Sequence, residues 1–214
     1  MNDDPTPLSS ATAAATLSGR LTPAALALQL SGRRPKRVRS LLAPRRAAVA
    51  VILRDGGDGP ELLLMRRAER LGDRWSGQIS LPGGMASPDD AHTRATAVRE
   101  TLEEVGLDLR AHGVLLGRSD DQIAMAKGRK LPLAITPWVF HVAEPPPLQL
   151  NEEAEATFWL PLAPLVVGAY DDVYDYELAG MHHRLPAWRF EHYVVWGLTH
   201  RMISRLLQIV DARG

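Results

Sequence analysis

Glu100, Glu103 and Glu104 stand at i, i+3 and i+4, so on a helix they share one face. Like charges at that spacing are destabilising by about 0.2–0.5 kcal/mol per pair. Gly106 suits the position just past a helix end. That puts Glu103 and Glu104 in the last turn, where the macrodipole disfavours anions. A solvated acidic face tolerates such a cluster at small cost, whereas a bound divalent cation removes both penalties. Carboxylate oxygens suit Mg²⁺ or Mn²⁺, and Mg²⁺ held by few protein groups takes its other ligands from water and substrate phosphate.

Two elements must position these carboxylates. Leu81-Pro82-Gly83-Gly84 reads as a strand end running into a tight turn. A helix then runs from about Ala91 to Val105, with Ala95, Val98, Leu102 and Val105 spaced to face a core. On that reading the glutamates lie on a different face, beside the glycine turn.

The residues from Gly84 to Leu107 resemble the Nudix box: a glycine, five residues, an acidic residue, then Arg-Glu-hydrophobic-x-Glu-Glu-x-Gly-hydrophobic. Gly84, Arg99, Glu100, Glu103, Glu104 and Gly106 fill their slots. Asp90 stands where the general pattern has Glu, eight residues rather than seven separate it from Arg99, and Thr101 occupies a usually apolar slot. The shifted spacing with Asp for Glu resembles the coenzyme A diphosphatase branch of the family. The resemblance implies hydrolysis of a nucleoside diphosphate linked to another group. It further implies Mg²⁺ or Mn²⁺ held by Glu100, Glu103 and Glu104, and an Arg99 that orients a glutamate. An exposed Arg99–Glu103 salt bridge would be weak in energy but has the same geometry.

Upstream lie Leu63-Leu64-Met65-Arg66-Arg67-Ala68, Arg70, Arg74 and Gly77-Gln78-Ile79-Ser80-Leu81-Pro82-Gly83-Gly84. This stretch is similar to a second signature of coenzyme A diphosphatases, although Leu81 replaces Phe and the interval from Arg67 to Gly77 is one residue longer. Arg67, Arg70 and Arg74, with Gly83 and Gly84, are therefore expected to bind substrate. Guanidinium groups grip phosphate bidentately, and coenzyme A carries a 3′-phosphate besides its diphosphate. The same arginines could instead pair with Glu69 and Asp73. In the later acidic loop Asn151-Glu152-Glu153-Ala154-Glu155, the resemblance makes Glu153 the best candidate for a catalytic base or metal ligand, with Glu155 behind it. Trp75 could stack on a base or plug its loop onto the core. Ser76 has no visible His–Asp partner, and the seven histidines show no metal-ligand spacing.

Composition bounds the function classes. The chain has 214 residues, 45% of them hydrophobic, which suffices for one domain and an appendage. A formal net charge of +0 gives no argument for nucleic acid or an acidic membrane as partner. With no cysteine, thiol catalysis and zinc–thiolate sites are excluded. No apolar run reaches the length of a membrane span, and Met1-Asn2-Asp3-Asp4-Pro5 lacks the basic start of a signal peptide. The expectation is a cytoplasmic protein with a small-molecule nucleotide substrate, neither nucleic acid nor membrane as partner, and a homodimer as a further option.

Residues 1–43 read as an N-terminal arm, mobile to about residue 20. It carries a short helix capped by Thr22-Pro23 and running to about Leu30, then the basic linker Arg33-Arg34-Pro35-Lys36-Arg37-Val38-Arg39. That linker is either a solvated connector or an arm toward an anionic substrate. Residues 44–214 are assigned to the Nudix domain. Strands are expected over Arg46–Leu53, Glu61–Arg66, Gln78–Leu81, Gly113–Arg118, Pro132–Val142 and Thr157–Leu160. A hairpin is expected around Ala179-Gly180-Met181, and a long amphipathic helix from Tyr193. The fold class is α/β, and the resemblance implies a Nudix-type α/β/α sandwich with a mixed β-sheet between helices. Within it, the leading expectation is hydrolysis of coenzyme A or a derivative to 3′,5′-ADP and 4′-phosphopantetheine. ADP-ribose or nucleoside triphosphates are alternative substrates. A non-catalytic nucleotide sensor is a further alternative, although a sensor is free to lose the metal glutamates and all three are present.

Overall fold

Seven consecutive buried residues, Ala47 to Leu53, form the centre of strand β1 (Arg45–Gly56). The run does not alternate because both of its faces are covered. Val49, Val51 and Leu53 point into one core, and Ala48, Ala50 and Ile52 into another. The structure, a computed structural model, describes residues 19–70, 75–126, 129–178 and 180–211.

The remaining elements, in chain order, begin with helix α1 (Pro23–Ser31), which precedes β1. After β1 come β2 (Gly59–Arg67), β3 (Ile79–Ser80), β4 (Gly83–Met85), α2 (Thr93–Val105), the short α3 (Leu109–His112), β5 (Val114–Arg118), β6 (Gln122–Ala126) and β7 (Arg129–His141). They are followed by β8 (Ala154–Pro161), α4 (Leu162–Val166), β9 (Asp171–Leu178), β10 (Met181–Phe190), β11 (Tyr193–Trp196) and α5 (Gly197–Asp211). The main sheet runs β3-β2-β1-β7-β5, with β4 on β1, β6 on β7 and β8 on β2. β1 and β7 are parallel, whereas β1 pairs antiparallel with β2. The sheet is therefore mixed, and helices cover both of its faces, as the α/β/α expectation required. A second sheet of three strands, β11-β10-β9, contains the expected hairpin.

Two sequence expectations need correction. Tyr193–Trp196 is a strand paired with β10, and the last helix starts only at Gly197. Gly197 has a φ of 62° and breaks the backbone there, while Tyr193 stacks on Phe158 at 4.1 Å. The core face of α2 is also rotated. Its buried residues are Thr96, Ala97, Val98, Thr101, Glu104 and Val105, and Leu102 is 46% exposed. Small Ala97 shares a core with Ala48 and Ala50, side chains that let helix and sheet approach closely on this side. Thr101 fits the apolar slot because its hydroxyl donates to the Ala97 carbonyl at 2.7 Å.

α1 begins as its sequence predicts. The Thr22 side chain accepts from the Ala25 amide, Pro23 occupies the first turn, and Leu26 and Leu30 are buried. The linker behind it is fastened to a buried acidic pair. Asp120 receives Arg33 at 2.5 Å, the Lys36 amide at 2.7 Å and Arg205 of α5 at 2.9 Å. Asp121 receives the Val38 amide and the Thr136 hydroxyl, each at 2.9 Å, and pairs with Arg118 and Arg46.

Candidate active site

α2 is built to end where its carboxylates are. Gly106 adopts a φ of 70° and donates its N–H to the Leu102 carbonyl, the left-handed cap that glycine supplies without strain. The carbonyls of the last turn need other donors. The Gln149 amide supplies one to Val105 at 3.0 Å, and the Asn151 amide one to Glu104 at 3.1 Å. The acidic loop of Glu152 and Glu153 is thus stitched to the end of the glutamate helix. Asn151 turns the loop further by accepting the Glu153 amide on its side chain.

The glycine turn meets the helix from the other side. Gly83 has a φ of 149°, and a Cβ there would lie 2.2 Å from the Ala48 carbonyl oxygen. Its N–H donates to Glu104 Oε2 at 2.7 Å. A Cβ on Gly84 would lie 2.6 Å from the Glu100 carboxyl, so the bare backbone leaves room for that group. The three glutamates do not share one exposed face: Glu104 turns inward and is only 2% exposed. Glu103 remains outside, and Glu100 is intermediate. Burial pushes the Glu104 carboxyl up to about 8; the Gly83 amide opposes that rise, and Glu100 and Glu153 add to it. Burial also raises Glu100 against the pull of Arg99, with Glu103 and Glu153 adding to the rise.

Arg99 bridges the cluster. It donates to both oxygens of Asp90 (3.2 and 2.9 Å), to Glu103 at 2.9 Å and to the Met85 carbonyl at 3.1 Å, and it pairs with Glu100 at 3.0 Å. The Arg99 guanidinium holds the Asp90 carboxyl well below the usual carboxylate range. Asp90 also accepts the Ser87 amide at 2.9 Å. In the sequence Asp90 is only a slot in a pattern; the Ser87-Pro88-Asp89-Asp90 turn is the available signal that its side chain is fixed.

Of the expected substrate arginines, Arg67 stands 3.9 Å from Glu104, and Arg70 pairs with Glu153 at 3.3 Å and Glu152 at 3.2 Å. It is Arg66 that pairs with Glu69, and with Glu155 at 2.6 Å. Arg74 and Asp73 lie outside the described residues. Ser76 is an anchor: its hydroxyl accepts the Arg70 amide at 2.8 Å. His200 of α5 lies against Trp188 of β10, and burial lowers the His200 pKa.

The donor set consists of carboxylate oxygens, which suit a hard divalent cation. Four mutually repelling carboxylates with Glu104 raised to about 8 are also the electrostatic setting that such a cation relieves. Among the described residues, no three acidic or histidine side chains stand together as a ready ligand set. Glu103 lies on Arg99, and Glu104 on the Gly83 amide.

The model of the NUDIX domain family matches residues 44–177. An uncharacterized protein of Schizosaccharomyces pombe is 38% identical over 65% of this chain, and the match spans 48% of that protein, about half its length. The uncharacterized Nudix hydrolase NudL of Cronobacter sakazakii is 35% identical over 82% of this chain and 88% of its own. The crystal structure of a C. elegans Ap4A hydrolase binary complex is 22% identical over 57% of this chain and 85% of its own, with a TM-score of 0.47.

Proposed function

The chain belongs to the Nudix hydrolase family, and from that premise we propose that it splits the diphosphate of coenzyme A or a derivative into 3′,5′-ADP and 4′-phosphopantetheine. Enzymes of this family act on nucleoside diphosphate derivatives and generally need divalent metal ions. The observation that carries the substrate reading is the meeting of Arg67 and Arg70 with Glu104 and Glu153. Cationic groups for several phosphates thereby stand at the carboxylates rather than on a remote surface.

In this reading Glu100, Glu103 and Glu104 hold Mg²⁺ or Mn²⁺. When bound, the ion supplies phosphate charge neutralisation and a lowered pKa for the attacking water. Arg99, itself fixed by Asp90, keeps Glu100 and Glu103 in place. Gly83 and Gly84 let the diphosphate approach the backbone, and Arg67, Arg70 and Arg74 take its phosphates. Water attacks one phosphorus, the bridging P–O bond breaks, and the leaving phosphate keeps the electron pair. Glu153, steered by Arg70, accepts the water's proton. The reading includes a cytoplasmic enzyme that can form a homodimer and needs neither nucleic acid nor membrane.

The test is turnover of coenzyme A, ADP-ribose, dinucleoside polyphosphates and nucleoside triphosphates with either metal. Coenzyme A is expected to be cleaved fastest. If it is untouched while another compound turns over, the substrate assignment is wrong. If nothing turns over, the catalytic reading goes with it.

A further inference from the structure

A cleft of about 490 Å³ lies between the β2–β3 edge and the three-stranded sheet, lined in part by Arg66, Gln78, Tyr174, His192, Tyr193 and Trp196. We infer that this cleft takes the heteroaromatic base of the nucleotide substrate. The inference rests on the diphosphate-hydrolase reading but concerns a different part of the molecule.

Strand alternation in β2 relates the cleft to the glutamates across the sheet, one on each face. Leu63 and Met65 of β2 belong to the core under α2, and Leu62 and Leu64 to the opposite core. Arg67 follows the first pair, to Glu104, and Arg66 follows the second, into the cleft. One residue of strand therefore separates the phosphate-binding arginine from the cleft. Its volume falls within the range of roughly 300–1,000 Å³ usual for ligand pockets.

The wall of the cleft is aromatic and already ordered. Trp196 stacks on Tyr174 at 4.1 Å and 16°, with Tyr176 against it at 5.5 Å. Tyr193 stacks on Phe158 at 4.1 Å and touches His192 at 3.9 Å. Tyr193 packs on the main core, but Tyr174, Tyr176 and Trp196 belong to neither core cluster. The Tyr174–Trp196 stack thus lines the cleft outside both described core clusters, and a flat ring is the ligand that pre-ordered aromatics favour. Gln78 brings an amide with both donor and acceptor to the same cleft, the combination that reads the edge of a base.

Two measurements test the inference. Trp196→Ala is expected to raise KM for the cleaved nucleotide by roughly tenfold, a typical stacking loss, and Gln78→Ala by roughly fivefold, the worth of one hydrogen bond, each with kcat within about twofold. Unchanged KM in well-folded variants overturns the inference. Wild-type chain photolabelled with azido-ADP is expected to carry the label on peptides containing Tyr174, Tyr193 or Trp196. Labelling elsewhere, or protection by 4′-phosphopantetheine rather than by AMP, overturns it too. The labelling does not depend on turnover, so a failure of the hydrolase reading is seen separately, as absence of cleavage.

Discussion

Glu104 sits in the folded chain at a cost that depends on pH. Its pKa in the fold, about 8, lies above the ordinary glutamate value of 4.5. Below the lower value both states are protonated and nothing is lost. As pH rises from there, the unfolded chain ionises first, and metal-free stability falls until the folded pKa is passed. A tenfold difference in proton affinity between folded and unfolded chain is worth about 1.4 kcal/mol. Glu104→Gln keeps an acceptor for the Gly83 amide, so it should raise the melting temperature of metal-free protein at about pH 9 and leave it unchanged at about pH 4. An equal gain at both would mean that ionisation is not the cause. The adjacent glycines separate fold from chemistry. Gly83→Ala drives a Cβ into the Ala48 carbonyl at an unfavourable φ, and should destabilise by about 3 kcal/mol in a denaturant titration. Gly84→Ala meets only the movable Glu100 carboxyl. It should unfold nearly as wild type yet lose at least about tenfold in kcat/KM. Equal stability losses would show that the two turns of backbone do not differ in this way.

Among the elements, the linker before β1 has its ionic support in Asp120. Burial pushes that carboxyl up, but the Lys36 amide, Arg33 and Arg205 outweigh it, and the pKa ends below the usual value. Its stabilisation is therefore present at neutral pH and lost as pH falls through the folded value. Asp120→Ala strands Arg33 and Arg205 and should cost about 3–5 kcal/mol at neutral pH, with a smaller penalty in acid. A flat pH profile would refute the ionic account. This support is not legible in the sequence: two aspartates after a strand look like a solvated turn, and the partners of Asp120 lie more than eighty residues away. What is legible depends on local rules. The Thr22-Pro23 cap, the Gly106 stop and the apolar run of β1 each announce themselves within a few residues. The rotation of α2 does not, because Ala97 and Thr101 carry little hydrophobic signal, and Glu104 is buried by an amide from another segment. Likewise the paired carboxylates can be read from sequence, but the loop amides that close the helix end cannot.

Across the whole molecule, the segment before residue 44 and the last helix meet at one place. Leu21, Leu26 and Leu30 share a core with Met202, Ile203 and Leu206, and Arg33 and Arg205 share Asp120. A chain begun at residue 44 should therefore expose that core and both aspartates. It is expected to melt well below the full chain and to be cut faster by protease; equal resistance would show that the segment is dispensable. The single strand β2 holds another division, with Arg67 turned to the carboxylates and Arg66 to the aromatic cleft. On the proposed reading, residues on the cleft side can be exchanged over generations without touching the groups assigned to the diphosphate. A descendant lineage can in this way keep an inherited reaction while it drifts toward a different nucleotide.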